Sequence, residues 1–185
     1  MKTISRPTFS LRVRVLAFAA LLAAPAAVEA QVAWVTFDSD PAGFSVEMPQ
    51  QPTASMTITD SFIGDVTNYI FTARDANQKM TVDYSKIPRF ALDFAGAGTI
   101  YSHAKGALLK QTWSKEVSFT DVTTHGHKGK RLVYDTPPIP GMPKIYGEAH
   151  FFLIGDRFYV VDAAVPAGDT ESVAKRFLAS IRFDE

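Results

Sequence analysis

Apolar and polar residues alternate with a period of two through most of the chain, and this pattern constrains the fold more than any other feature. Phe44, Val46 and Met48 are separated by single polar residues. Such alternation is typical of a β-strand with one buried face. It predicts strands at residues 34–37, 43–48, 53–59, 66–73, 80–85, 116–122, 131–134, 146–154 and 158–165. In the last of these, residues 158–161 are apolar on both faces of the strand. This predicts a central strand that is covered on both faces.

Two segments have helical spacing instead. Residues 92–113 are predicted to form a long helix that is broken near Gly96. In residues 170–181, Val173, Phe177 and Ile181 form an apolar stripe, which needs a sheet to cover. The order of strands, long helix, strands and terminal helix predicts the α+β class. We expect a mainly antiparallel β-sheet with a long central helix and a C-terminal helix packed on its faces.

The first 30 residues have the three parts of a secretory signal peptide. Basic residues come first, residues 15–28 are apolar or small, and Ala30 ends the segment with a small side chain. The apolar run is too short to span a membrane, which takes about 20 residues. We therefore expect cleavage between Ala30 and Gln31. Residues 31–185 would then form a single domain that is periplasmic or secreted and has no transmembrane segment.

The charge and the motif content exclude several classes of protein. The whole chain has 19 basic and 19 acidic residues, but residues 31–185 have 15 and 18, a net charge of −3. Such a charge gives no general field that would attract a nucleic acid. The chain has no cysteine, which excludes thiol chemistry, and no phosphate loop, dinucleotide fingerprint or zinc-protease motif. We expect no nucleic-acid partner, no cofactor and no catalytic constellation.

Four short motifs are spread over nearly all of residues 31–185. They are Trp34-x-x-Phe37, Gly43-Phe44-Ser45-Val46-x-Met48-Pro49-x-x-Pro52, Ile154-Gly155-Asp156-Arg157-Phe158-Tyr159-Val160 and Phe177-Leu178-Ala179-Ser180-Ile181-Arg182-Phe183. Together they resemble the small exported bacterial domains of the PsbP/Mog1-like α/β/α-sandwich superfamily. The resemblance implies that fold. Because those families mostly lack an established enzymatic activity, it implies no catalytic residue.

Three histidines are candidate metal ligands. His125 and His127 are two residues apart, so on a strand both imidazoles can face one metal ion. His150 shares one face of its strand with Glu148, a pairing that also suits acid–base catalysis. The alternative for His125 and His127 is a solvated hairpin tip. The alternative for His150 and Glu148 is a half-exposed polar strand face or a cross-strand contact.

A basic cluster and a proline-rich loop are the candidate contact regions. The basic cluster consists of Lys128, Lys130 and Arg131, next to His127. It suits the binding of an anionic group, although a solvated hairpin tip is the alternative. The loop at residues 137–143 suits the lip of a binding site, since functional groups concentrate on loops, or else a rigid spacer. The candidate ligand- or partner-binding residues are Pro138, Pro140, Met142, Tyr146, Lys128, Lys130 and Arg131.

Three functions remain open. The first is an exported, non-enzymatic domain that binds a protein partner or a small ligand in the cell envelope, as a monomer or weak oligomer. The second is a metal-dependent or acid–base hydrolase, which requires His125, His127 and His150 to converge. The third is a carrier of lipid or another apolar ligand, which requires a cavity between helix and sheet.

Overall fold

The computed structural model describes residues 34–61, 64–74, 78–137, 143–168 and 171–184. They form ten strands and two helices. In chain order these are β1 (Val35–Ser39), β2 (Phe44–Met48), β3 (Thr53–Ser61), β4 (Gly64–Arg74), β5 (Lys79–Lys86), α1 (Arg89–Thr112), β6 (Lys115–Thr124), β7 (His127–Asp135), β8 (Ile145–Ile154), β9 (Arg157–Pro166), α2 (Glu171–Ser180) and β10 (Arg182–Phe183). Every predicted strand is present. Residues 1–30, which the sequence predicts to be a signal peptide, lie outside the described residues.

Seven strands form one antiparallel sheet in the order β3-β4-β5-β9-β8-β7-β6. The central position of β9 confirms the prediction from its apolar residues at both parities. Phe158 and Tyr159 are both buried, although they point to opposite faces of the sheet. The strands β3 and β6 form the two edges.

The sheet has a separate hydrophobic core on each face. The core on one face lies under α2 and includes Val82, Tyr159, Val161, Phe177 and Ile181. The core on the other face lies under α1 and includes Ile100, Leu132, Tyr134, Phe151 and Phe158. The predicted α+β architecture, with helices on both faces of a mainly antiparallel sheet, is therefore confirmed.

The layer on the α2 face contains a second sheet that alternation alone does not predict. It has the order β1-β2-β10, and β10 pairs with β2 through Arg182 opposite Ser45 and Phe183 opposite Phe44. The strand β10 is only two residues long, too short for a periodic pattern. Its Phe183 ring packs 4.6 Å from the ring of Tyr159, which ties the end of the chain to the large sheet.

The predicted break in the long helix is confirmed at Gly96. This residue has φ 71° and ψ 159°, which favours glycine because a side chain is strained at that backbone geometry. The helix begins at Arg89, directly after Pro88, and so includes residues before the predicted start. No helix in the described ranges is long and apolar enough to cross a membrane.

Candidate functional site

An open cleft of about 500 Å³ lies between α1 and the sheet strands β3, β4 and β5. Its volume falls in the range typical of small-molecule sites, about 300–1,000 Å³. The apolar residues that line it are Val66, Ile70, Ile87, Ile100, Ala104, Ala107, Leu108, Phe158 and Val160. The polar residues that line it are Thr57, Thr59, Ser61, Asn68, Asp83, Ser85, His103 and Gln111.

The cleft exists because α1 covers only part of this face of the sheet. Ile100 and Tyr101 of the helix share a core with Leu132 and Tyr134 of β7 and with Phe158 of β9. The helix therefore packs over the β7 half of the sheet, and one face of β3 and β4 borders the open space beyond it. The helix and the sheet thus form the two walls.

Asp83 is a half-buried residue on the floor of the cleft. Burial raises its pKa from 3.8 to about 7, although the positive charge of Lys79 opposes the change. Nearby on β4, the side-chain amide of Asn68 donates hydrogen bonds to Thr59 Oγ1 at 3.0 Å and to the Val66 carbonyl at 3.3 Å. The floor therefore offers one carboxyl group that holds its proton up to neutral pH.

A second carboxyl group, Asp162, lies on the next strand and on the same face of the sheet. The register pairs Thr81 with Asp162 and Asp83 with Val160, so the two aspartates are diagonal neighbours. Burial raises the pKa of Asp162 to about 6, although a hydrogen bond from Tyr134 opposes the change. The Tyr134 hydroxyl donates that bond at 2.7 Å.

Gly147 makes the contact between Tyr134 and Asp162 possible. The Tyr134 ring crosses over Gly147, and a Cβ atom at that position would lie 2.1 Å from the ring. Glycine leaves the room that the ring needs to reach from β7 to β9. Any larger residue must displace the tyrosine and separate its hydroxyl from Asp162.

The opposite face of the sheet holds a polar cluster of the half-buried Arg131 and Tyr146 and the buried Glu148 and His150. Arg131 donates to both Glu148 oxygens, from Nε at 2.6 Å and from Nη2 at 2.7 Å. The Tyr146 hydroxyl also donates to Glu148, and His150 Nε2 lies 3.0 Å from its Oε1. Burial opposes ionisation of Glu148, but the bonds from His150, Arg131 and Tyr146 outweigh it and lower its pKa.

The cluster brings together three residues that the sequence assigned to different roles. Arg131 and Tyr146 were candidate contact residues, and His150 was a candidate metal ligand. Burial and the bond to Glu148 raise the pKa of Tyr146 to about 12, so it stays a hydrogen-bond donor. Glu148 and His150 are 4% and 7% exposed, and neither lines the cleft. The pairing of Glu148 with His150 is confirmed, but the pair lies inside the domain.

The three candidate metal ligands each have a different environment. His125 is in the turn between β6 and β7, where its Nε2 contacts the Ala179 carbonyl at 2.9 Å and Arg182. The His127 ring packs 5.3 Å from the Phe183 ring. His150 Nε2 faces Glu148, so it carries a proton, and its buried Nδ1 has no hydrogen-bond partner. The described ranges contain no group of three or more metal-ligating side chains placed to hold a metal ion.

The basic cluster is divided between the two faces of β7. Because side chains alternate along a strand, Lys128 and Lys130 point to one face and Arg131 to the other. Lys130 forms an ion pair with Asp121 at 2.6 Å, and Arg131 is bound to Glu148. Only Lys128 is an exposed cation without such an acidic partner among these three. The structure therefore does not bring them together as one anion site. Pro138, Pro140 and Met142 lie outside the described residues.

The cleft residues were not among the sequence-based candidates. Thr81, Asp83 and Ser85 are the polar half of an alternating strand, which usually faces solvent. Asp83 and Ser85 line the cleft, and Thr81 is next to them on the same face of β5. They lie there because β5 is between β4 and β9 and because α1 forms the opposite wall. The sequence of β5 alone does not distinguish a polar strand face that lies under a helix from a polar strand face that is exposed to solvent.

No protein-family model matches the chain, and no curated protein matches it. Among solved structures, cyanobacterial PsbP from Synechocystis sp. PCC 6803 is similar, with 12% identity and a TM-score of 0.56. The similarity covers 88% of this chain and 98% of that one. A protein of unknown function from Pseudomonas aeruginosa is 14% identical over 79% of this chain and 94% of its own, with a TM-score of 0.41. The first similarity confirms the PsbP-like fold.

Proposed function

We propose that this PsbP-like domain is an exported, non-enzymatic binding protein that holds a small, mainly apolar ligand between α1 and the sheet. The observation that carries the proposal is the cleft of about 500 Å³, which is lined by apolar residues of the helix and the sheet and by polar side chains placed among them. Sites for small molecules typically have this construction. The cavity between helix and sheet is the feature that a carrier requires.

The charges around the cleft favour a neutral or cationic ligand over an anionic one. None of the described residues that line it is a lysine or an arginine. Its floor carries the half-buried Asp83, whose carboxyl group is partly shielded from water. An anionic head group would lose its hydration there without gaining a positive partner. Alcohols, amides and amines with an apolar body therefore fit better than fatty acids or phosphate esters.

The positions of the histidines support binding rather than hydrolysis. The hydrolase hypothesis requires His125, His127 and His150 to act together on a substrate. His150 is buried against Glu148, and His127 packs on an aromatic ring. Purified protein should therefore show no turnover in a broad hydrolase screen. Turnover that is lost in His150→Ala, with the fold retained, would replace the proposal with the hydrolase hypothesis.

A fluorescence titration with the neutral probe N-phenyl-1-naphthylamine tests the cleft. Ala104 lies on the α1 wall, so Ala104→Trp should fill the cleft and weaken binding of the probe at least tenfold. Ser102 is exposed on the same helix and does not line the cleft, so Ser102→Trp is the matched control and should bind within about twofold of the unchanged protein.

The same titration tests the ligand class by competition. Decanol should displace the probe more strongly than decanoate at neutral pH. Equal binding of the probe to both tryptophan variants would show that the cleft is not the site. Export is tested separately by sequencing the N-terminus of the protein recovered from the periplasm, which should begin at Gln31.

A further inference from the structure

The two edges of the large sheet differ in how well they are protected. At the β3 edge, the residues from Thr53 to Asp60 are all exposed, including Met56 at 60% and Ile58 at 65%. The strand has nine residues, contains no lysine, arginine or proline, and has Asp60 as its only charge. A long, exposed edge strand with so little charge presents unpaired backbone groups to another strand.

The β6 edge carries the protective features that β3 lacks. It contains Lys115, Glu116 and Asp121, and a register irregularity lies between Glu116 and Ser118. Charges and bulges of this kind are the devices that prevent pairing between sheet edges. Because one edge of the same sheet is protected and the other is not, the exposure of β3 is a specific feature of that strand.

We propose that β3 pairs antiparallel with β3 of a second copy of this chain, about a two-fold axis at Thr57. Thr57 is the midpoint of Thr53–Ser61, so this register pairs the strand over its full length. Met56 of each copy then lies opposite Ile58 of the other. Alternate residues exchange backbone hydrogen bonds, about eight in total, since each bonded pair exchanges two.

The side chains of β3 complement themselves in this register. Residues directly opposite each other share one face of the sheet, so the two Met56–Ile58 pairs form one apolar cluster. On the same face, Tyr69 is the neighbour of Met56 on β4 and is itself 44% exposed. Asp60 lies opposite Ala54 of the second copy, so no two carboxylates face each other. A second copy therefore matches the edge without an unfavourable charge contact.

In this arrangement the second copy lies next to the cleft of the first. Thr57 and Thr59 point to the other face of β3, where they line the cleft. Across the two-fold axis, Thr57 of the second copy continues that floor. Both clefts of the dimer then open on the same side of one continuous sheet.

Light scattering and sedimentation of purified protein, from micromolar to millimolar concentration, test the proposal. The unchanged protein should show a monomer–dimer equilibrium. Met56→Lys and Ile58→Glu should each weaken the dimer at least tenfold, because each places a charge against an apolar side chain. The double variant Met56→Lys/Ile58→Glu should recover most of the loss, because opposite charges then face each other across the axis.

The control is Val117→Lys, which places a charge at an exposed apolar residue of the β6 edge and should leave the dimer dissociation constant within twofold of the unchanged protein.

The chain has no cysteine, so Thr57→Cys provides a direct probe of the two-fold axis. Two such residues lie opposite each other and should form a disulfide between copies on mild oxidation, whereas Ser55→Cys should not. A monomer at millimolar concentration, or a dimer weakened only by Val117→Lys, would overturn the proposal. Failure of the double variant to recover would overturn the register.

Discussion

Replacing Asp83 by asparagine should change how the stability of this protein depends on pH. Asp83 lies on the floor of the cleft, where burial raises the pKa of its carboxyl group from 3.8 to about 7. Asparagine has nearly the same shape as the protonated acid and carries no charge at any pH. The variant therefore isolates the free energy of unfolding that the ionisation of this one group changes.

The expected magnitude follows from the difference between the two pKa values. A rise from 3.8 to about 7 corresponds to about 4 kcal/mol. Because the folded state holds the proton more tightly, Asp83 causes no loss of stability below pH 3.8. Stability is then lost as the pH rises from about 4 to about 7 and stays constant above that. Asp83 keeps some contact with solvent, so we expect a gain of about 2–4 kcal/mol for Asp83→Asn at pH 8.

Urea denaturation of both proteins at a series of pH values from 4 to 8 provides the measurement. The quantity to plot is the difference in the free energy of unfolding, in which the titrations of groups that do not interact with Asp83 cancel. It should be near zero at pH 4 and should rise through pH 5–7. Asp65→Asn, at an exposed carboxyl group on β4, is the matched control and should change the free energy of unfolding by less than about 0.5 kcal/mol. A flat or falling curve for Asp83→Asn would refute the burial of this carboxyl group.

Two further substitutions test the packing on each face of the sheet. Gly147→Ala places a Cβ atom 2.1 Å from the ring of Tyr134, so the ring must move and its hydrogen bond is lost. We expect a loss of about 3 kcal/mol in thermal or chemical unfolding, whereas Gly106→Ala, in open space on α1, should gain about 0.8 kcal/mol. Arg131→Met leaves the carboxylate of Glu148 buried without its cation and should cost about 3 kcal/mol. Most of that loss should disappear when Glu148→Gln is added, and a full additive loss would contradict the pairing.

The alternation of the sequence predicts the strands well because it depends only on which side chains share a face. The glycine break in α1 follows instead from Gly96 within a segment of helical spacing. The alternation also predicts the centre of the sheet, since residues 158–161 of β9 are apolar on both faces of the strand. It says nothing about which strands are neighbours. Arg131 and His150 were assigned to separate sites for this reason, although the register places them opposite each other on β7 and β8.

The exposed face of β3 shows a second limit of the pattern. Met56 and Ile58 share one face of the predicted strand at residues 53–59, but that face is exposed. The layer formed by α2 and the small sheet extends as far as Phe71 of β4, which packs 5.1 Å from the ring of Phe37. Whether a strand face is covered depends on how far helices and strands from other parts of the chain extend over it. The local periodicity of the sequence carries no information about this.

The position of β3 connects the cleft with the proposed dimer. Thr57 and Thr59 line the cleft with their side chains, while the backbone of the same strand forms the edge that pairs. If a ligand contacts these residues and the second copy extends the same floor, the ligand and the second copy are thermodynamically linked. Each must then change the affinity of the other by the same factor. The dimer dissociation constant, measured with and without a saturating neutral probe, therefore shows whether pairing and binding use one surface, because independent sites would leave it unchanged.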